Sequence, residues 1–173
     1  MNVADRVAAF DAAVERRVDA LHTPGLDAVA YRLSSAADHS LIWHGCGVGR
    51  EIVGAHHLDR AVRYSLALGL ESALTNGVVK SLFRRLRPAD YTELEFRYGL
   101  RRPITSSFPS GHATAAFCAA TLLGGGPGWY GAAAAVASTR VYVRLHYASD
   151  VLAGAAFGVA LGLALRPFVN GHS

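Results

Sequence analysis

The sequence predicts an all-α fold: a helical bundle embedded in a membrane, with an amphipathic helix at the N-terminus. Polar and apolar residues do not alternate as they do in strands. The apolar half of the chain is mostly Ala, Val, Leu and Gly, a composition that suits closely packed helices. Gly154, Gly158 and Gly162 recur every four residues, which gives the small-residue face by which helices approach closely in lipid. A soluble bundle remains the alternative, because many apolar runs have about 15 residues and a span needs about 20.

The first third of the chain predicts two helices and one ambiguous segment. From Val3 to Leu21 the apolar residues recur at intervals of three and four, with charges on the other face. This amphipathic helix is expected to lie on a membrane surface or to pack on the bundle. Pro24 and Gly25 end it, and residues 26–33 form a second short helix. Residues 40–55 are apolar but interrupted by charges, so whether they span a membrane stays open.

The middle of the chain predicts a long helix followed by a polar loop. The helix runs from about Asp59 to Leu86 and ends there because Arg87 precedes a proline. The loop, residues 89–108, interleaves arginines, acidic residues and aromatics and is expected to form a lid or an entrance.

Three further helices are predicted in the last third. Ser110 caps a helix over residues 111–123, which stops at a glycine run before Pro127. A second helix runs from Trp129 toward Val143. The third covers about 149–165 and is closed by Arg166 and Pro167.

Length, charge and cysteines limit the class of protein. At 173 residues the chain fits a single domain, 1–173. The net charge of +4 favours anionic partners without indicating nucleic acid. Cys46 and Cys118 lack a CxxC spacing and are interpreted as packing residues. Charged residues precede any apolar run, so no cleavable signal peptide is expected and a soluble periplasmic enzyme is disfavoured.

Three polar clusters lie at predicted helix ends. Lys80 and Arg87 are seven residues apart, which on one helix places both cations on nearly the same face. The stretch 109–112, Pro-Ser-Gly-His, opens a helix whose free amides can bind phosphate. His146 and Asp150 are four residues apart, so on one helix the carboxylate can fix the imidazole tautomer. Each cluster taken alone is more often structural than functional.

Together the clusters resemble one family. Lys80 is followed after six residues by Arg87-Pro88, then comes Pro109-Ser110-Gly111-His112, then Arg140, five residues, His146, three residues and Asp150. This order and spacing is similar to the three-part signature of the type 2 phosphatidic acid phosphatase superfamily, whose members are membrane-embedded α-bundles. Thr139 stands where the family usually has serine, and it keeps the hydroxyl.

The resemblance implies a role for each signature residue. Lys80, Arg87 and Arg140 would bind the phosphate oxygens, with hydrogen bonds from Ser110 and the amide of Gly111. His146 would attack phosphorus to give a phosphohistidine, with Asp150 orienting its ring. His112 would protonate the leaving alkoxide and then activate water. No metal and no cofactor is implied. The remaining histidines, outside the signature, are interpreted as surface or interfacial groups: His22, His39, His44, His56, His57 and His172.

The substrate expected from this resemblance is a membrane lipid phosphate. Candidates are phosphatidate, a phosphatidylglycerol phosphate, and a polyprenyl phosphate, diphosphate or phosphoryl pentose phosphate; the small chain favours the polyprenyl carriers. Two alternatives remain, a vanadium-dependent haloperoxidase and a non-catalytic membrane protein that binds anionic lipid. No nucleic-acid partner is expected, and the oligomeric state is left open.

Basic residues outside the signature bear on which membrane face carries the site. Six arginines lie on the predicted side of the site and three on the opposite side, which by the positive-inside rule favours the cytoplasmic face. Arginines near a phosphate site have a second reason to be there, so the face stays open. The six are Arg84, Arg85, Arg97, Arg101, Arg102 and Arg144, and the three are Arg60, Arg63 and Arg166.

Overall fold

A computed structural model describes residues 1–54, 58–89, 92–100 and 103–171, with backbone alone for His39 and Thr92. Over these residues the chain is helical and has no strand, which confirms the predicted all-α class. Predictions for Asp90, His56, His57, Arg101, Arg102 and His172 lie outside the described residues. The α-helices, in chain order, are α1 (Val3–Asp19), α2 (Pro24–Ala36), α3 (Leu41–Gly54), α4 (Leu58–Ser72), α5 (Thr92–Tyr98), α6 (Gly111–Leu122), α7 (Pro127–Tyr142) and α8 (Ala148–Asn170).

Helix α1 forms as predicted, but it buries an unexpected residue. Asn2 and Asp5 form a capping box at its start, each side chain accepting from the other's backbone amide at 2.9 Å. Its apolar residues Val3, Val7 and Phe10 are exposed. The residue of α1 that is buried is the charged Asp11. The first half of the apolar stripe of α1 therefore faces outward, whereas Val18 near its end packs against the core.

The helix predicted to reach Leu86 ends earlier. Helix α4 continues through a π-helical turn, Ala73–Val78, and a 3₁₀ turn, Val79–Leu82, after which the backbone becomes extended at Phe83. Beyond that point the backbone carbonyls accept hydrogen bonds from a later segment instead of continuing the helical pattern. Ser107 donates its amide to the Arg85 carbonyl at 2.9 Å and its hydroxyl to the Leu86 carbonyl at 3.1 Å. The prediction that Lys80 and Arg87 share one helical face was therefore wrong.

Helix α6 is the centre of the bundle and packs against α8 along the predicted glycine face. A Cβ added at Gly154 would lie 2.5 Å from the Ser110 carbonyl oxygen, and one at Gly158 would overlap the Thr114 carbonyl oxygen. Only glycine permits this approach of the two backbones. Cys118 is buried in the same contact, Cys46 packs against the main apolar core, and both are free thiols, as expected.

Replacing Gly158 by alanine should destabilise the protein by about 1–3 kcal/mol, because the new methyl group collides with α6 backbone that cannot move aside. Gly131→Ala is the matched control, since Gly131 lies in α7 with nothing within 4 Å of its added Cβ. Thermal unfolding in detergent measures both variants. Equal unfolding temperatures for the two would contradict the close α6–α8 contact.

Helix α8 is longer than predicted. It passes through Pro167 to Asn170, although proline removes a helical hydrogen bond. Val169, beyond the proline, is buried in the main apolar core, and this packing offsets the lost bond. Among the described helices α8 is the one long and apolar enough to cross a membrane, by length and composition.

The segment expected to form a lid or entrance contains one short helix, α5. Its Tyr98 ring stacks on the buried Tyr31 of α2, with centroids 5.0 Å apart. After α5 the chain returns past Pro103 and Thr105, which line the main cavity together with Arg87. This part of the segment therefore forms one wall of the cavity.

Candidate active site

The signature residues converge on one cavity of about 470 Å³. Side chains from four separate parts of the chain meet there. Ser110 and Asp150 are fully buried and lie next to residues that line it. The signature residues that line the cavity are Lys80, Arg87, Gly111, His112, Arg140 and His146.

The contact between α6 and α8 joins the second and third clusters. The backbone amide of Ser110 donates to the Asp150 carbonyl at 3.1 Å. Ser110 is the N-cap of α6, as predicted, and its hydroxyl accepts from the Ala113 amide at 3.5 Å. At Gly111 a Cβ would lie 2.8 Å from the Asn76 side-chain oxygen, so the start of α6 presses against the π-helical turn after α4.

Arg140 is held by a residue that the sequence did not indicate. The guanidinium lies at the end of α7 with 2% of the residue exposed. Its Nη1 donates to the Ser34 carbonyl at 3.0 Å and to the Ser34 hydroxyl. Helix α2 thus anchors a buried cation at the cavity wall, and a bound anion there would compensate its charge.

Arg87 reaches the cavity from the extended segment after the 3₁₀ turn. Its Nε donates to the Pro103 carbonyl at 3.1 Å and its Nη1 to the Leu145 carbonyl at 2.7 Å. These carbonyls, and not a helical face shared with Lys80, determine where Arg87 points. Its Nη1 is also 3.2 Å from Nε2 of His146.

This last contact fixes the tautomer of His146. A guanidinium nitrogen can only donate, so Nε2 must accept and carries no proton. The ring proton then lies on Nδ1, which faces Asp150 Oδ2 at 3.7 Å. That separation is longer than a hydrogen bond but short enough for one to form with a small movement, as catalytic contacts often do when substrate binds. The lone pair of Nε2 points toward the cavity cations.

His146 and Asp150 do not share a helix face as the spacing suggested. Helix α8 begins at Ala148, and His146 precedes it in a turn whose amide donates to the Arg140 carbonyl at 3.0 Å. Asp150 is the third residue of α8, and its Oδ2 accepts from the Tyr147 amide at 3.0 Å. The two side chains meet because the carboxylate turns back over the helix start.

Burial and neighbouring cations keep the imidazole neutral. Desolvation is the largest effect and lowers the pKa of His146 to about 3, opposed by Asp150 and reinforced by Arg87 and Arg140. His146 therefore offers an unprotonated nitrogen at neutral pH in the free protein.

Lys80 is a cation with an altered pKa. It lies in the 3₁₀ turn, outside the helix that could cross a membrane, and is 7% exposed. Burial first, and then the positive charges of Arg87 and Arg140, lower the pKa of Lys80 to about 8. Its charge is present at neutral pH and is lost as the pH rises above this value.

His112 has an acidic partner that sequence reasoning missed. Its Nε2 lies 2.8 Å from Asp38 Oδ1, in the 3₁₀ turn between α2 and α3. A carboxylate can only accept when ionised, so this contact places a proton on Nε2. Asp38 precedes His112 by 74 residues, so only the folded chain reveals the pairing.

Other polar groups line the cavity beyond the signature. Two belong to α4, one to the π-helical turn that follows it, and one to the 3₁₀ turn that carries Asp38. Such groups can bind hydroxyls of a substrate. They are Ser40, Glu71, Ser72 and Asn76.

Two arginines counted as possible indicators of membrane orientation are engaged in the fold. Arg144 pairs with Glu15 at 3.3 Å and with Asp19 at 2.5 Å, both in α1. Arg85 pairs with Asp11 and Asp150, at 2.6 Å each. Arg144 is absent from the cavity lining, as expected, whereas Arg85 touches the partner of His146. Their ion pairs give both arginines a structural reason to lie on this side.

Sequence comparison shows that the known proteins similar to this chain are phosphatases. Residues 60–172 match the family described as the PAP2 superfamily. A decaprenylphosphoryl-5-phosphoribose phosphatase of Mycobacterium tuberculosis is 32% identical over 166 residues, covering 92% of this chain and 86% of the relative. A lipid A 1-phosphatase of Porphyromonas gingivalis is 41% identical over 108 residues, covering 56% of this chain and 21% of the relative.

Solved structures show the same fold. A transmembrane PAP2 type phosphatidylglycerolphosphate phosphatase from Bacillus subtilis superposes with a TM-score of 0.74 at 23% identity, covering 98% of this chain and 88% of that one. Aquifex aeolicus LpxE superposes with a TM-score of 0.68 at 24% identity, covering 88% and 92%.

Proposed function

The chain belongs to the PAP2 superfamily, which confirms the family indicated by its signature, and we propose that it is a membrane-embedded phosphatase of a polyprenyl-phosphoryl pentose phosphate. The observation that carries the phosphatase assignment is the convergence of three cations and two histidines on one cavity. A phosphoryl group in transfer needs its negative charge neutralised and its reacting atoms aligned, and this set of residues supplies both.

In the first proposed step, His146 attacks the terminal phosphorus through Nε2. A P–N bond forms as the P–O bond to the leaving alcohol breaks. The negative charge of the bound phosphate favours a second proton on His112, at Nδ1, because Nε2 already donates to Asp38. His112 donates this Nδ1 proton to the leaving oxygen, so the alcohol leaves neutral. Arg87 must release Nε2 before the attack, and the phosphate oxygens are the natural replacement partners for its Nη1.

In the second step, water attacks the phosphohistidine. His112, now neutral with its remaining proton on Nε2, takes a proton from the water at Nδ1, the P–N bond breaks, and phosphate leaves. Electrons of the broken bond return to Nε2, so His146 regains its starting tautomer. Asp150 stabilises the positive charge that the ring carries while phosphorylated.

Two features support a lipid substrate. Leu86 and Ile104 are exposed apolar residues, and each is next in the chain to residues that line the cavity, Arg87 for the first, Pro103 and Thr105 for the second. Exposed apolar groups beside a charged site suit a headgroup with a lipid tail. The exposed apolar residues Val3, Val7 and Phe10 of α1 and the length of α8 likewise favour a membrane.

Two features also support a sugar-bearing headgroup. The relatives from Mycobacterium tuberculosis and Mycolicibacterium smegmatis, each matched over more than two thirds of both chains, are decaprenylphosphoryl-5-phosphoribose phosphatases. In this chain, Ser72 and Asn76 line the same cavity, and their hydroxyl and amide groups can hydrogen-bond to pentose hydroxyls.

A substrate panel in detergent tests the proposal. Phosphate release should be fastest from a polyprenyl-phosphoryl pentose phosphate, slower from phosphatidate or a polyprenyl diphosphate, and unaffected by chelator. A faster reaction with phosphatidate would overturn the substrate assignment but leave the reaction class intact. No release from any lipid phosphate would overturn both, and bromide oxidation after adding vanadate would then favour the haloperoxidase alternative.

Lys80 should produce a basic limb in the pH profile. Since kcat/KM reports the free enzyme, it should fall above about pH 8 as the ammonium loses its proton. Arg remains protonated throughout this range, so Lys80→Arg should move the limb to higher pH. A limb that stays in place in this variant would show that another group causes it.

A further inference from the structure

We propose that Asp11 and Arg85 are positioning residues for the nucleophile: a chain of ion pairs runs from the buried Asp11 of α1 through the partly exposed Arg85 to the buried Asp150 and places that carboxylate against His146. The inference rests on the proposed function, since it concerns the residue expected to attack phosphorus. Neither residue belongs to the signature.

The chain of ion pairs begins at Asp11, the charged residue that α1 buries. Asp11 is 2% exposed, although it follows the exposed apolar residues Val3, Val7 and Phe10 on the same helix. Its Oδ1 accepts from the Ser149 amide at 2.9 Å, and its Oδ2 accepts from the Ser149 hydroxyl at 2.7 Å. Asp11 thus caps the N-terminus of α8, where a negative charge also compensates the helix dipole.

Arg85 joins this carboxylate to the one beside His146. Its Nη2 donates to Asp11 Oδ2 and its Nη1 to Asp150 Oδ1, both at 2.6 Å. Nη1 also donates to the Ser149 hydroxyl at 2.7 Å, and the guanidinium lies 4.3 Å from the Tyr147 ring centroid. Because its planar guanidinium contacts two carboxylates and an aromatic ring, Arg85 is held in one orientation.

The effect reaches His146 through the two oxygens of Asp150. Arg85 holds Oδ1, and the Tyr147 amide holds Oδ2 at 3.0 Å, so the plane of the carboxylate is set from both sides. The distance from Oδ2 to Nδ1 of His146, 3.7 Å, must shorten for a hydrogen bond to form. Without Arg85 the carboxylate could rotate away from the ring or turn Oδ1 toward another donor.

A second set of ion pairs on α1 provides a comparison, because it attaches the helix to the bundle without contacting Asp150. Asp19 and Glu15 hold Arg144, which attaches the same helix to the turn before α8. Neither of these ion pairs includes Asp150. If α1 served only to cover the bundle, loss of either set should have the same consequence.

The deciding experiment compares Asp11→Asn with Asp19→Asn in steady-state assays of the detergent-purified protein on the best substrate of the panel. Asp11→Asn should lower kcat about 10- to 100-fold, because misplacing the nucleophile costs rate, and should leave KM within about twofold. Asp19→Asn should keep both constants within about twofold of wild type.

Two more variants follow the chain of ion pairs. Arg85→Lys should lower kcat to a similar extent, because one ammonium cannot span both carboxylates as the guanidinium does. The double variant that combines Arg85→Lys with Asp11→Asn should have a kcat only slightly lower than the slower single variant, since both changes break the same chain of ion pairs. Thermal unfolding of each variant shows whether it is folded.

The possible results are distinct. An inactive wild type overturns the proposed function and this inference with it. If the wild type is active, three results overturn only the inference. They are an unchanged kcat in Asp11→Asn, equal losses of kcat in Asp11→Asn and Asp19→Asn, and a change in KM without a change in kcat. If Asp11→Asn does not fold, Arg85→Lys decides, because it breaks the bridge between the two carboxylates and keeps the positive charge; an unchanged kcat there overturns the inference as well.

Discussion

His146→Ala should reduce phosphate release from the best lipid substrate by about 10⁴-fold or more, the scale seen when an enzyme loses its nucleophile. The unprotonated Nε2 is the atom proposed to bond to phosphorus, and alanine leaves only direct attack by water within the cation cluster. Single-turnover assays with labelled phosphate measure the rate. The same assay should show label on the wild-type protein and none on the variant.

His44→Ala is the matched control for this experiment. His44 lies in α3, outside the residues that line the cavity, so its loss should change the rate by no more than about twofold. A His146→Ala protein that retains wild-type activity would refute the proposed mechanism. A variant without activity whose protein still carries label would place the nucleophile elsewhere.

Arg87→Ala should lower kcat/KM by about 10²- to 10³-fold, because it removes one of the three cations that would neutralise the phosphoryl oxygens. Arg87 also donates to carbonyls on both sides of the cavity, so part of the loss reflects a looser wall. Arg87→Lys separates the two effects: it keeps a charge but not the fork, and should recover only part of the activity.

Arg84→Ala provides the comparison within the same basic segment. Arg84 is exposed and does not line the cavity, so its removal tests whether total positive charge, rather than placed charge, supports the reaction. We expect kcat/KM within about twofold of wild type at moderate salt, where exposed charges are screened. A loss as large as that of Arg87→Ala would contradict a specific phosphate clamp.

The fold followed from local patterns because those patterns reflect burial and backbone geometry. The glycine spacing in α8 predicted a close helix contact, and α6 approaches along that face. Ser110 was correctly placed as an N-cap because hydroxyl capping depends on neighbouring residues alone. The end of the helix after α4 was predicted four residues too late, since the segment around Ser107 that competes for its backbone lies about 20 residues further along the chain.

For the candidate site, the sequence predicted the residues better than it predicted their geometry. The signature named the residues that surround the cavity, but their geometric justification was partly mistaken. Arg87 reaches the site through loop carbonyls, not through a helix shared with Lys80. Asp150 reaches His146 across a turn, not along one helical face. The proposed roles of these residues remain predictions for the experiments above.

By itself, the sequence determined the all-α class, the helix-capping serine, the glycine face of α8 and the residues of the candidate site, because each depends on side-chain type and short-range spacing. The tertiary structure alone decided the partners of those residues: Ser34 for Arg140, Asp38 for His112, and Arg85 with Asp11 for Asp150. These pairs join positions 65 to 106 residues apart. Contacts at such separations arise only when packing brings helices together, and no local spacing encodes them.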